Sequence, residues 1–263
     1  MLEYLERVLS SDDIDQIWSC HCETMRHYGF DRLLYGFVPF RTQLRKFDES
    51  DALILNSHDP LYVDRLGEPD IFVANPILHW LESHEGPLLW SQLNEWASAG
   101  LLSQSGRRVL EVKHQLGATA GLTISFGGLS KRALAWISLC AMPGLSQADV
   151  DRIWDRNRQE LTVLNAVTHL KITSLPFPSS VTQLTVRQRE VLEWVADGKT
   201  IADIAELMGL TTATVEKHLR LARETMRVDT TVQATVKALL QKRLFYPVVP
   251  VRAGTPSRQP PRG

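Results

Sequence analysis

The strongest constraint in this 263-residue chain is a stretch near its C-terminal end where short amphipathic segments are cut apart by glycines and opened by threonines. Val191, Leu192 and Val195 fall on one face of a first helix that begins after Thr185 and stops at Gly198. Thr200 is placed to cap a second helix carrying Ile201, Ile204, Ala205 and Leu207. Gly209 supplies a tight corner, where a residue that tolerates positive φ is favoured. Thr211 opens a third helix with Val215, Leu219 and Met226 facing in, and a fourth begins near Thr230 with Val232, Val236 and Leu239 on one stripe. Residues 184–246 therefore read as an all-α four-helix domain, since helices this short persist only by burying their stripes against one another.

A bracing helix, a tight corner and a following helix is the spacing of a helix-turn-helix, whose last helix enters the DNA major groove. The outward face of the third helix carries Thr212, Glu216, Lys217, Arg220, Arg223 and Arg227. Arginine and lysine suit guanine edges and phosphates, and a carboxylate can accept from a cytosine amine. Glu216, Lys217 and Arg220 are accordingly expected at bases, and Lys199, Thr212, Thr214, Arg223 and Arg227 at phosphates. A solvated charged helix in a domain that never meets DNA has the same face, so spacing alone leaves that alternative open. Charge leans toward an anionic partner: residues 1–183 hold 16 basic against 22 acidic residues, residues 184–246 hold 10 against 8, and Arg252, Arg258 and Arg262 follow.

The chain is long enough for a second, larger domain. Residues 1–30 and 146–170 have helical periodicity, the latter opened by Ser146 with Asp149 three residues on. Residues 33–40, 52–56, 119–126 and 133–141 read as strands, the last pair a hairpin turning at Gly127-Gly128. Residues 60–66, 76–83 and 91–117 read as helical, with a break at Gly100. Residues 1–170 are thus an α+β domain. Residues 171–183, with two prolines, read as a linker, and the proline-rich residues 247–263 as a disordered tail.

Acidic residues interrupt the N-terminal segment, which excludes a signal peptide, and no apolar run reaches membrane-spanning length; a cytoplasmic protein is expected. Cys20, Cys22 and Cys140 form neither a disulfide framework nor a metal site, and no cofactor is expected. No nucleophile elbow, phosphate loop or dinucleotide fingerprint is present, and His79 and His84 lack zinc-protease spacing, so an enzyme is not expected.

The C-terminal domain resembles the LuxR-type helix-turn-helix. The matching residues are Leu184, Thr185, Arg187, Glu190, Val191 and Leu192; Trp194, Ala196, Gly198 and Lys199; Ile204, Ala205 and Gly209; and Thr214, Val215, His218 and Leu219. Gln188 departs from the glutamate usual there, with a small effect expected. The family's fourth helix pairs two domains, which implies dimerisation through Val232, Val236 and Leu239 and a two-fold symmetric site on double-stranded DNA.

The first domain resembles the autoinducer-binding domain that accompanies this helix-turn-helix in bacterial quorum sensing. Phe30-Asp31, Tyr35-Gly36, Asn75-Pro76, Trp90-Ser91 and Gly121 carry the likeness. A receiver domain is not expected, because no regular βαβ order follows Asp12-Asp13. The resemblance implies an α-β-α sandwich with an antiparallel sheet between helices, and a small apolar signal molecule as ligand, with acyl-homoserine lactones the family's usual choice. A gapless count puts Tyr62 at the family's lactone-binding tryptophan, Leu66 at its tyrosine and Asn75 at its aspartate; a one-residue gap would put Leu61 at the tryptophan instead. Asn75 brings N–H donors where the family has only an acceptor, which favours a ligand with an acceptor opposite it. Periodicity adds Val38, Ile54, Phe72, Ile77, Leu110, Leu122 and Ser138 as pocket walls beside Trp90 and Gly121. The expected function is transcriptional regulation under a small signal molecule. A regulator using another ligand or none, or one acting through mixed dimers, remains the alternative.

Overall fold

The computed structural model describes residues 1–39, 52–127, 133–176 and 184–245. The chain divides into two compact units, residues 1–175 and residues 176 onward.

In the first unit, α1 (Leu2–Ser10) and α2 (Ile14–His27) are separated by a short break, and Asp13 caps α2 by accepting from the backbone N–H groups of Asp15 and Gln16. The strands β1 (Phe30–Val38), β2 (Leu53–Asn56), β3 (Gly86–Leu89), β4 (Gly121–Ser125) and β5 (Leu134–Ala141) form one antiparallel sheet in the order β2-β1-β5-β4-β3. Between β2 and β3 lie α3 (Pro60–Gly67), α4 (Pro69–Val73) and α5 (Pro76–Leu81); α6 (Trp90–Ser98) and α7 (Gln104–Gln115) precede β4, and α8 (Gln147–Ser174) ends the unit. The helix α4 and the strand β3 lie in stretches to which the sequence reading assigns no element. Four or five residues are too few to display a period.

Side chains alternate across the sheet. Tyr35 and Phe126 meet His169 of α8 on one face, while Val38, Trp136 and Cys140 join the apolar cluster of α3–α7 on the other. Behind the first face a buried polar relay ties three helices together. Asn165 spends its amide on the carbonyl of Leu161, so its Oδ1 accepts from His21 Nε2 (3.1 Å). The neutral ring then accepts the Tyr4 hydroxyl at Nδ1 (2.7 Å). Burial keeps the ring neutral by pushing the His21 pKa down to about 4.

The capping box of Ser146 and Asp149 opens α8. The helix does not stop at residue 170: it runs to Ser174, four residues into the expected linker, because nothing before Pro176 breaks it. The expected turn from residue 128 and the tail from residue 247 lie outside the described residues, as do 177–183 of the linker.

In the second unit, α9 (Val186–Ala196), α10 (Ile201–Met208), α11 (Thr212–Met226) and α12 (Thr231–Leu240) bury Val191, Leu192, Ile204, Val215, Leu219 and Met226 in one core. Thr185, Thr200 and Thr230 each open their helix with a capping box, and Gly209 ends α10 in the left-handed region (φ 64°). Gln188 is the reciprocal half of the first box: its side chain accepts from Thr185 N (2.9 Å), a bond that needs no charge.

Candidate functional site

Two surfaces carry the chemistry, one in each unit. In the first, the α3–α7 face of the sheet packs Val38, Tyr62, Leu66, Ile77, Trp90 and Trp136 into one apolar cluster, with Ile54 and Leu110 against it. Tyr62 is buried there, whereas Leu61 is 54% exposed. Phe72 is half-buried on α4. Leu122 does not belong to this wall: it pairs with Leu139, one residue out of phase with Gly121 and Thr123, and so faces the opposite side of the sheet.

A polar seam crosses the apolar face. Trp90 Nε1 donates to Thr123 Oγ1 (3.1 Å), which is hydrogen-bonded to Ser138 Oγ (2.9 Å). Gly121 is what lets the Trp90 ring lie on the strand, since a Cβ there would come within 2.9 Å of the ring and 2.3 Å of the Leu139 carbonyl oxygen. Gly36 does the same for Trp136, whose ring would meet a Cβ at 2.3 Å.

Several polar groups in this region lack a partner among the described residues. The His58 ring stacks on Tyr62 at 3.9 Å, and its buried Nε2 is unpaired. Burial first, then the Arg32 and Lys113 charges, hold its pKa down at about 3. The Ser125 hydroxyl, on the same side of β4 as Thr123, is also buried and unpaired. The Tyr62 hydroxyl makes no hydrogen bond to a described group, and burial raises its pKa. Asn75 caps α5, its Oδ1 accepting from Ile77 N (3.0 Å), which leaves its Nδ2 without a described acceptor.

Lys113 completes the set, and the sequence reading missed it. It stands on the buried face of α7, four residues beyond Val109, and its Nζ lies 3.6 Å from the centroid of the Trp90 ring. The signal was a charged residue at a position where helical period demands an apolar one. Thr123, Ser125 and Trp136 were missed as well, because strand parity names a face only once the register is known, and His58 because it lies in the turn between β2 and α3, where no period applies.

In the second unit α11 exposes Thr212, Glu216, Lys217, Arg220 and Arg227. Arg220 is held by Glu224 (2.6 Å), one turn on. Thr214 is half-buried and bonds Thr211 Oγ1 (2.9 Å) at the start of the helix. Arg223 is not on the open face: its Nη1 donates to Thr231 Oγ1 (3.0 Å), clamping α11 to α12. Lys237 of α12 donates to the Met226 carbonyl (2.9 Å), a cation at the negative end of α11. Lys199 is exposed just before α10. On α12, Val232, Val236 and Leu239 are 70%, 39% and 41% exposed.

A sheet-backed cluster with unpaired polar groups in one unit and a helix-turn-helix in the other define a DNA-binding regulator that responds to a small molecule. The autoinducer binding domain model matches residues 13–172, more than half the chain, and the model of the luxR family of bacterial regulatory proteins matches residues 182–238. The chain belongs to the LuxR-type quorum-sensing transcriptional regulators. It is similar to the transcriptional activator AnoR of Acinetobacter nosocomialis, 23% identical, over 86% of this chain and 91% of that one. It is also similar to the transcriptional activator LuxR of Aliivibrio fischeri, 22% identical over 90% of each. Escherichia coli SdiA shares the fold, with a TM-score of 0.55 at 16% identity, over 93% of this chain and 98% of that one. CepR2 of Burkholderia cenocepacia does so with a TM-score of 0.51 at 15% identity, over 66% and 93%. Among the described residues no helix is long and apolar enough to cross a membrane.

Proposed function

We propose that this chain binds an acyl-chain signal molecule on the α3–α7 face and, as a homodimer paired through Val232, Val236 and Leu239, reads a two-fold symmetric DNA site with α11. One observation carries the ligand half: beside one apolar cluster the buried His58 Nε2 and Ser125 Oγ have no hydrogen-bond partner, and Tyr62, Asn75 and Lys113 each offer a polar atom with no described protein partner. Native structures rarely leave such groups unpaired, and a ligand with a polar head and an apolar tail would satisfy both parts of the site. Two structural neighbours support the tail. SdiA has been solved with octanoyl-rac-glycerol, and CepR2 is described as N-acylhomoserine lactone dependent. Leu66, Trp90, Gly121, Ser138, Val38, Ile54 and Leu110 are the proposed walls, with Phe72 at the margin.

For DNA, Glu216, Lys217 and Arg220 face the bases and Lys199, Thr212, Thr214 and Arg227 the phosphates; Arg223 acts mainly by fixing α11 on α12. Fluorescence anisotropy on an operator selected from random sequence tests the pair of assignments. Lys217→Ala and Arg220→Ala should each lose site-specific binding while the circular dichroism stays unchanged. Unaltered operator affinity in both would remove α11 from the interface.

A further inference from the structure

Lys113 is 4% exposed, among Trp90, Leu93, Val109 and Val112. A buried ammonium normally has a carboxylate beside it, because leaving water costs several kcal/mol that only pairing recovers. Among the described residues Lys113 has no such partner: it makes no ion pair and no side-chain hydrogen bond with any of them, and the one group that favours its charge is the thiol of Cys140. Desolvation accordingly pushes its pKa down to about 7. Asp31 is already engaged: Arg32, the other cation acting on Cys140 and His58, holds it at 2.9 Å. A recess of about 10 Å³ opens at this point between α6 and α7, lined by Trp90, Leu110, Lys113 and Ala118 with the exposed Asn94 and His114 at its edge.

A lysine kept in an apolar wall, lining a recess and compensated only by the face of an aromatic ring, is a receptor for an anion. Two of the other groups agree in polarity: Asn75 Nδ2 and the Tyr62 hydroxyl have hydrogens to donate. We infer that the signal molecule of this chain is an acid, an acyl chain ending in a carboxylate that pairs with Lys113 on the Trp90 ring, rather than a neutral lactone. The inference rests on the ligand reading above and narrows its chemistry.

A matched pair of probes separates the two. N-octanoyl-homoserine and N-octanoyl-homoserine lactone share the acyl chain and differ in the carboxylate. Isothermal titration calorimetry on the full chain should show the acid binding at least about tenfold tighter, the weight of one charge-assisted contact. At about pH 8 the complex should also take up a proton, because a carboxylate raises the proton affinity of the lysine; the enthalpy then depends on the buffer's ionisation heat. In Lys113→Met the preference and the proton uptake should both vanish, and in Lys113→Gln the proton uptake should vanish. Equal affinity for acid and lactone, or an acid preference that survives Lys113→Met, overturns the inference. A lactone that binds tightly while the acid does not overturns it too, yet leaves the ligand-responsive reading standing. If neither probe nor octanoate binds, and the protein holds its operator at full strength without them, both fall.

Discussion

At Gly121 a methyl group would press on the Leu139 carbonyl and the Trp90 ring at once, and backbone cannot give way as a side-chain tip can. Gly121→Ala should therefore cost about 1–3 kcal/mol by overpacking, read as a lower Tm, and should weaken ligand binding. Lys113 gives the first unit a pH signature. Its folded pKa is depressed to about 7 from 10.5, so between those values the unfolded chain binds more protons and stability rises with pH. The stability is fully present above the unfolded pKa and is lost as pH falls through the folded one. The thiols of Cys22 and Cys140, pushed up to about 11 by burial, act oppositely above about pH 9. Denaturant titrations at pH 7 and about pH 9 should show the wild type gaining stability and Lys113→Met gaining less. An identical gain in both would mean that Lys113 is solvated. At Gln188 the same logic predicts near-neutrality for Gln188→Glu, which keeps the capping box, and a loss of about 1 kcal/mol for Gln188→Ala, which opens it.

At the scale of elements, the second unit was legible because its boundaries are written in side chains. Thr185, Thr200, Thr211 and Thr230 accept from backbone N–H groups where the reading placed them, and Gly209 takes the positive φ of the corner. The first unit was legible in its long elements and blind in its short ones. Pro69 and Pro87 look like loop residues, yet one sits at the start of α4 and the other in the edge strand β3, the places where proline costs least. Sheet register lay beyond reach for the same reason that Leu122 was misplaced: shifting one residue exchanges the two faces. For Arg223 helical phase showed only a residue turned to solvent, whereas the next helix supplies Thr231 as an acceptor for it. Arg223→Ala should accordingly lower the Tm of the second unit as well as its operator affinity, while Lys217→Ala should leave the Tm unchanged. Differential scanning calorimetry distinguishes them.

At the scale of the whole molecule, an exposed stripe of Val232, Val236 and Leu239 on a helix whose other face is buried is the proposed pairing surface. Val236→Glu should shift the sedimentation coefficient toward the monomer and weaken operator binding with the fold intact; an unchanged dimer would place the contact elsewhere. The central claim is that occupancy of the first unit by a small acyl molecule governs the protein, and thermal melting of the full chain against acyl-homoserine lactones, their ring-opened acids and aromatic signals tests it most directly. A ligand at about 100 times its Kd stabilises by roughly 2.7 kcal/mol, a rise of about 5–10 °C for a domain of this size. The account predicts a rise of that order with at least one acyl compound, largest for the acids. A flat melting temperature across the whole panel, with the operator bound at full strength in its absence, would contradict it.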